Sequence, residues 1–205
     1  MDDSNTTDQL DPGTTESQHM IQMNHAIRNY LTEITEDNVV GPELAESWEA
    51  SPDAATWTFK LRKGVEFHDG KTLTADDVVW SLKQHLSKNN KYAEGKQIVE
   101  NLEELRADGP DTVVMKQREV NFDLPAHLSS FGLIIGQAEN EDWNAGICTG
   151  PYVKESFEPG VRAVAQRNPN YYKENSCHFD TIEMVGIADV SARMNALMTG
   201  EVDVI

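Results

Sequence analysis

GPELAESWEASPDAATWTFKLRKGVEFHDGKTLTADDVVWSL, residues Gly41 to Leu82, holds the densest run of local structural signals in the chain. Trp48–Ser51 and Thr56–Leu61 flank Pro52-Asp53, a pair suited to a turn because proline fixes φ and aspartate bonds its own backbone. In the second arm Trp57, Phe59 and Leu61 alternate with Thr56, Thr58 and Lys60, the period of a half-buried strand. Lys63-Gly64 turns the chain into Val65-Glu66-Phe67, a short strand, and His68-Asp69-Gly70-Lys71 is a polar turn. Thr74, followed three residues later by Asp77, reads as a capping box that starts a helix at Ala75. Val78, Val79, Leu82 and Leu86 form the apolar stripe of that helix. No part of the block has the spacing of a catalytic site.

Upstream, residues 1–9 are polar and read as a disordered lead-in. The polar loop GTTESQH, Gly13 to His19, runs into a helix expected over about Ser17 to Leu31, where Met20, Met23, Ile27, Tyr30 and Leu31 recur at helical spacing. Methionines in such a stripe fill a core rather than bind a cofactor. Downstream, Lys88–Lys96 is a polar connection containing Tyr92, and Ile98, Leu102 and Leu105 fit either a short helix or a strand edge. Thr112–Lys116 reads as a strand. Phe122, Leu124, Pro125, Leu128 and Phe131 outline a short helix, and Leu133–Ile135 a short buried strand. A hairpin of Tyr152–Phe157 against Val161–Gln166 turns at Pro159-Gly160. Ile182–Val185 is a strand, and Asp189 caps a helix through Met198 that stops at Gly200.

The chain has 205 residues, enough for one domain or two small ones with a real core. Its hydrophobic content of 39% is ordinary for a soluble protein. No apolar run approaches the roughly 18 residues of a membrane span, and the first residues lack the basic and apolar regions of a signal peptide. A net charge of −18 argues against nucleic acid and anionic membranes as partners. His127 stands beside Ser129 and Ser130, but no GxSxG-type elbow exposes a nucleophile, so a solvated or packed histidine is expected. No acid/base pair, nucleophile or phosphate-binding glycine loop is present; the sequence gives no enzyme and no cofactor site. Of the two cysteines, Cys148 and Cys177, only His178 stands close by, too few ligands for a metal.

Three blocks in the opening stretch, PELAESWE, TWTFKLRKGVEFHDGK and LTADDVVWSL, occur in the order and spacing of the dipeptide/oligopeptide/nickel-binding family of extracytoplasmic solute-binding proteins, which serve ATP-driven importers. Leu10-Asp11-Pro12, the element Cys148-Thr149-Gly150-Pro151-Tyr152 (with Cys148 where the family has glycine) and Arg167-Asn168-Pro169-Asn170-Tyr171-Tyr172 extend the resemblance, as does GEVDVI, Gly200–Ile205, which is similar to a family strand. The family's first strand has no counterpart in the residues before Leu10. The resemblance implies a mixed α/β fold: the first lobe of a periplasmic-binding-protein-like clamshell, with the second lobe absent. Within it, residues 1–40 and 148–205 would form an incomplete central-sheet subdomain and 41–147 a peripheral one. It also implies that the helix start and loops at Glu16, Ser17, Gln18, Tyr92, Ser129 and Ser130 face the ligand cleft. Read from the residue alone, Glu16 is a solvated first-turn carboxylate that favours the helix dipole.

The implied function is capture of a solute, a peptide in most of the family, between two lobes for delivery to a membrane permease, by a monomer outside the cytoplasm. A ligand-sensing domain of a cytoplasmic transcriptional regulator and part of a secreted peptidase are the alternatives. Export would favour a Cys148–Cys177 disulfide over a reduced pair; closing that loop would stabilise by about 3.5 kcal/mol.

Overall fold

The computed structural model describes residues 6–14 and 17–205. Glu16, and the lead-in over residues 1–5, lie outside the described residues. The elements in chain order are α1 (Gln18–Ile27), β1 (Thr32–Ile34), β2 (Val40–Pro42), β3 (Ala45–Ala50), β4 (Thr56–Leu61), α2 (Ala75–Gln84), α3 (Ala93–Glu100), β5 (Leu102–Ala107), β6 (Thr112–Gln117), α4 (Leu124–His127), β7 (Tyr152–Glu158), β8 (Arg162–Arg167), β9 (Thr181–Val185) and α5 (Val190–Thr199). The fold is mixed α/β, built on two antiparallel sheets ordered β3-β4-β6-β5 and β7-β8-β9, with β1-β2 as a small third pair.

The alternation read in Thr56–Leu61 sets the first sheet. Phe59 and Leu61 are buried and Lys60 is exposed. Phe59 pairs with Trp48 on one side and Val113 on the other. Fully burying an aromatic side chain of this kind is worth about 2–3 kcal/mol, and Trp48 and Trp57 flank Phe59 with ring centroids 6.3 and 6.4 Å away. Helix α2 covers this sheet through Val78 and Leu82. Its start is fixed as the Thr74/Asp77 spacing predicts: the Asp77 carboxylate accepts from the Thr74 backbone N–H and hydroxyl at 2.8 and 2.7 Å. Asp77 is fully buried and also takes hydrogen bonds from Lys71 Nζ (3.0 Å) and Ala138 N (2.8 Å). Removing the polar environment of a buried carboxylate is costly, so four donors converge where one cap was read.

The second apolar cluster joins α1 to the β7-β8-β9 sheet through Leu10, Met23, Ile27, Tyr152 and Ala165. Met20 and Met23 are core, as their spacing indicates. The two cores meet along the chain that leaves α1: Asn29, Tyr30 and Leu31 are buried, and Leu44 N and Ala45 N bond back to Tyr30 O and Leu31 O.

Several sequence-based boundaries shift. Helix α1 ends at Ile27 rather than Leu31, because Arg28 turns extended (φ −130°, ψ 163°). Tyr30 and Leu31 are buried by tertiary contact, not by a helical face. Helix α2 stops at Gln84, and Leu86 is left 49% exposed. Leu133–Ile135 is buried but forms no strand, Ile135 N bonding Asn29 O instead of a ladder partner. Gly200–Ile205 also forms no strand, and Val204 is 81% exposed. Ile98 and Leu102–Leu105 resolve as the end of α3 and most of β5.

Candidate functional site

Of the residues that the resemblance places at the cleft, Tyr92 has the most closely defined surroundings. Asn90 sets its position: Oδ1 accepts from Tyr92 N at 3.1 Å, while Nδ2 donates to His85 O (2.8 Å) and Tyr92 O (3.2 Å). The turn at Asp11–Thr14 braces this loop, Lys91 N bonding Gly13 O at 2.7 Å. The ring then enters a slot with glycine on two sides. A Cβ added to Gly132 would lie 2.4 Å from Tyr92 Cδ1 and Cε1, and one added to Gly95 would lie 2.6 Å from Cδ1. Phe131 and His85 border the ring at centroid distances of 5.0 and 6.0 Å. Glycine within helix α3 costs helix stability; here it admits an aromatic ring.

The slot aims the Tyr92 hydroxyl at a polar rim. It donates to Glu94 Oε2 at 2.8 Å and makes a short hydrogen bond with Ser130 Oγ. His127 Nδ1 lies 3.7 Å from Glu94 Oε1. Ser129 Oγ, next to Ser130, donates to Ala126 O at 2.7 Å. Burial pushes the Tyr92 phenol up to about 12, so it remains a neutral hydrogen-bonding group. Burial also lowers the pKa of His85, which keeps that ring neutral beneath Tyr92.

The structure therefore joins Tyr92 directly to Ser130 and places Ser129 beside them. Gln18 is exposed at the start of α1. Ser17 is buried: its hydroxyl donates to Asp8 Oδ2 (3.0 Å) and accepts from Met20 N (3.2 Å) as the cap of α1. Glu94 and His127 stand beside the Tyr92 hydroxyl, and the sequence alone marked neither as its neighbour. Gly95 gave little signal, because Lys88–Lys96 reads as a polar connection in which a glycine is ordinary.

Cys148 and Cys177 are free thiols here, so the bridge the sequence left open is not formed in this structure. Both pack on the second apolar cluster, Cys148 buried within it and Cys177 at its edge. Burial raises the Cys148 pKa, against the pull of Arg28 and Lys154. We expect one thiol per molecule, Cys177, to be alkylated rapidly in the native protein, with Cys148 reacting only in denaturant. Intact mass after iodoacetamide reads this out; in denaturant, no labelling without reductant and two labels with it would show a bridge.

Among the described residues no group of three or more His, Cys, Asp or Glu side chains is placed to hold a metal ion, and no helix is long and apolar enough to cross a membrane.

Comparison with known proteins gives a consistent result. The family model described as bacterial extracellular solute-binding proteins, family 5 Middle, matches residues 39–205. The oligopeptide-binding protein AppA of Bacillus subtilis (strain 168) is 30% identical over 187 residues, covering 85% of this chain and 34% of its own length. The dipeptide-binding protein of Escherichia coli (strain K12) is 30% identical over 191 residues, covering 80% of this chain and 35% of its own. This chain thus spans about a third of the length of the curated relatives it matches. Among solved structures, the periplasmic binding protein AgaA in complex with agropinic acid, from A.tumefacien R10, superposes with a TM-score of 0.89 at 26% identity, over 98% of this chain and 41% of that one.

Proposed function

The chain belongs to the bacterial extracellular solute-binding proteins, family 5, and from that premise we propose that it forms one wall of a solute-capture site serving an ATP-driven importer outside the cytoplasm. The solute class is peptides, the class for which AppA, an oligopeptide-binding protein, and the dipeptide-binding protein are named. A membrane permease receives the loaded form, and the capturing protein acts as a monomer. Hinge closure of two lobes gains affinity by surrounding the ligand and excluding water. The wall supplied here consists of Gln18, Tyr92, Ser129 and Ser130, with Glu16 at the helix start, while Ser17 is buried as the cap of α1.

The observation that carries this reading is the Tyr92 slot. A phenol wedged between Gly95 and Gly132, with its hydroxyl held by Glu94 and Ser130, is a rigid polar contact. Rigid contacts cost little ordering entropy on binding. The arrangement needs no catalytic group, and the relatives compared are named as binding proteins, which favours capture over a peptidase or a transcriptional sensor. Two subdomains, 1–40 with 148–205 and 41–147, organise the wall in this reading; the two separate apolar clusters support that division.

One wall leaves half of a ligand in water, so this chain alone should bind weakly. Titrating ¹⁵N-labelled protein with a mixture of short peptides at millimolar concentration is expected to shift amide signals at Gln18, Tyr92, Ser129 and Ser130. Shifts confined to other surfaces, or submicromolar binding by this chain alone, would overturn the proposal.

A further inference from the structure

The chain carries 35 aspartates and glutamates against 17 lysines and arginines, a net charge of −18. Its cations offset this surface less than their number suggests. Arg106, Lys116, Arg162 and Arg167 do form ion pairs with exposed carboxylates. Five others are directed at neutral oxygens instead. Arg28 Nη2 donates to Trp143 O, Arg62 Nε to the backbone Glu43 O and Arg193 Nη1 to Ile187 O. Lys60 Nζ donates to Thr112 Oγ1 and Lys154 Nζ to Asn144 O. Glu36, Asp37, Glu46, Glu49, Glu139 and Glu141 are exposed, and among the described residues no cation lies within ion-pair distance of any of them.

Folding draws these charges together. A chain of this length shrinks from a radius of gyration of about 50 Å to about 17 Å, so the compact state bears most of the self-repulsion. Spacing sets the salt at which that repulsion subsides. Glu36 and Asp37 are adjacent and Glu139 and Glu141 are two apart, which holds the Cα atoms of each pair within about 7 Å. Screening acts over about 8 Å at physiological ionic strength, too far to separate such neighbours, and over about 3 Å at 1 M. Salt also weakens the surface ion pairs, but exposed pairs contribute little, so the excess of carboxylates decides the sign. We propose that the fold is salt-dependent: dissolved cations relieve the repulsion of its acidic surface, and the chain reaches full stability only at ionic strengths of about 1 M. In the capture reading the protein works outside the cytoplasm, where the surrounding medium sets that ionic strength. The salt dependence itself does not rest on that reading.

Thermal unfolding without ligand, followed by tryptophan fluorescence at fixed pH in potassium chloride from about 0.05 to about 2 M, tests this. The midpoint is expected to rise by about 10 °C or more over that range. A second protein carries Glu36→Gln, Asp37→Asn, Glu46→Gln, Glu49→Gln, Glu139→Gln and Glu141→Gln, which removes six of the 18 excess charges. The six side chains are exposed, so this variant should fold. It is expected to be the more stable of the two at low salt and to gain only about half as much from added salt, because self-repulsion grows with the square of the net charge. A midpoint that stays flat or falls as salt is added overturns the proposal and leaves the acidic surface a role in solubility alone. Equal gains in the two proteins overturn it likewise, since they trace the rise to salting-out of apolar surface. Neither result bears on peptide capture, which the titration above decides.

Discussion

Replacing Gly150 with alanine is expected to destabilise the protein by about 3 kcal/mol or more, at the upper end for a single overpacking change. A Cβ at this position would meet Ile27 C at 2.2 Å and Arg28 N at 2.4 Å, both backbone atoms at the end of α1. A side chain in the way could rotate; a peptide group cannot. The contact is also bonded: Gly150 N donates to Ile27 O at 3.0 Å, and Gly150 O accepts from Asn168 Nδ2 at 3.0 Å and lies 3.2 Å from His68 Nε2. Moving the backbone to fit a methyl group would break this junction between α1, the polar turn before α2 and the loop after β8. Urea denaturation followed by tryptophan fluorescence reads the loss. Gly109→Ala is the control, because Gly109 sits in an exposed turn at φ 79° with nothing within 4 Å of an added Cβ, and should cost only about 1 kcal/mol. Equal effects at the two positions would show that the close approach at Gly150 is not what requires glycine.

The second large effect is the pH dependence of stability through Glu43. This side chain is 6% exposed. Its Oε1 accepts from Asn29 Nδ2 at 2.7 Å and its Oε2 from Tyr30 N at 2.8 Å. Lys173 Nζ lies 3.7 Å from Oε1 and 2.6 Å from Glu33. Burial pushes the Glu43 carboxyl up to about 7 from an ordinary value of 4.5, against the pull of Lys173 and the bonds from Asn29 and Tyr30. Between those two pH values the folded state keeps a proton that the unfolded chain has released. Stability from this group is therefore greatest below pH 4.5, falls as pH rises to about 7 and is flat above it. A gap of about 2.5 pH units corresponds to roughly 3 kcal/mol.

Histidines act in the opposite direction. Burial lowers the pKa of His19, His25, His68 and His85, so the unfolded chain takes up protons first and stability falls as pH drops below 6.5. Glu43→Gln separates the two contributions. Denaturation midpoints of the variant and the unaltered protein, measured from pH 4.5 to 8, should diverge steadily up to about pH 7, the unaltered protein losing stability relative to the variant. Parallel curves would show that Glu43 is ionised throughout.

The Glu43 cluster and the Tyr92 slot mark where sequence reading stopped. Asn29 bonds Glu43, Tyr171 OH and Thr149 Oγ1, partners 14, 142 and 120 residues away. Nothing near Asn29 in sequence announces such a hub. Leu133–Ile135 illustrates the same limit: its apolar character correctly predicted burial, but strand or coil depended on whether a ladder partner was present, and Asn29 O took the hydrogen bond instead. The α1 boundary was misplaced because Tyr30 and Leu31 continue a helical spacing while their backbone is bonded to the Glu43–Ala45 segment and Leu31 packs in the first core with Leu44 and Ala45, contacts that periodicity cannot distinguish from a helix face.

Gly41–Leu82 was legible because its signals are local. A turn pair between alternating arms and an acid three residues after Thr74 act within a few residues of backbone, and both took the expected form. The stretch established the family and the mixed α/β class, and the methionine spacing identified one core. The site was not legible in this way. Ser130 and Gly132 are 38 and 40 residues from Tyr92, and His127 is 33 residues from Glu94. Sequence alone marked Tyr92 and the two serines as candidates. Only packing of the α4 region against the start of α3 decided that the phenol is held in a glycine slot, and that its proton goes to Glu94, because hydrogen-bond direction is a property of neighbours in space.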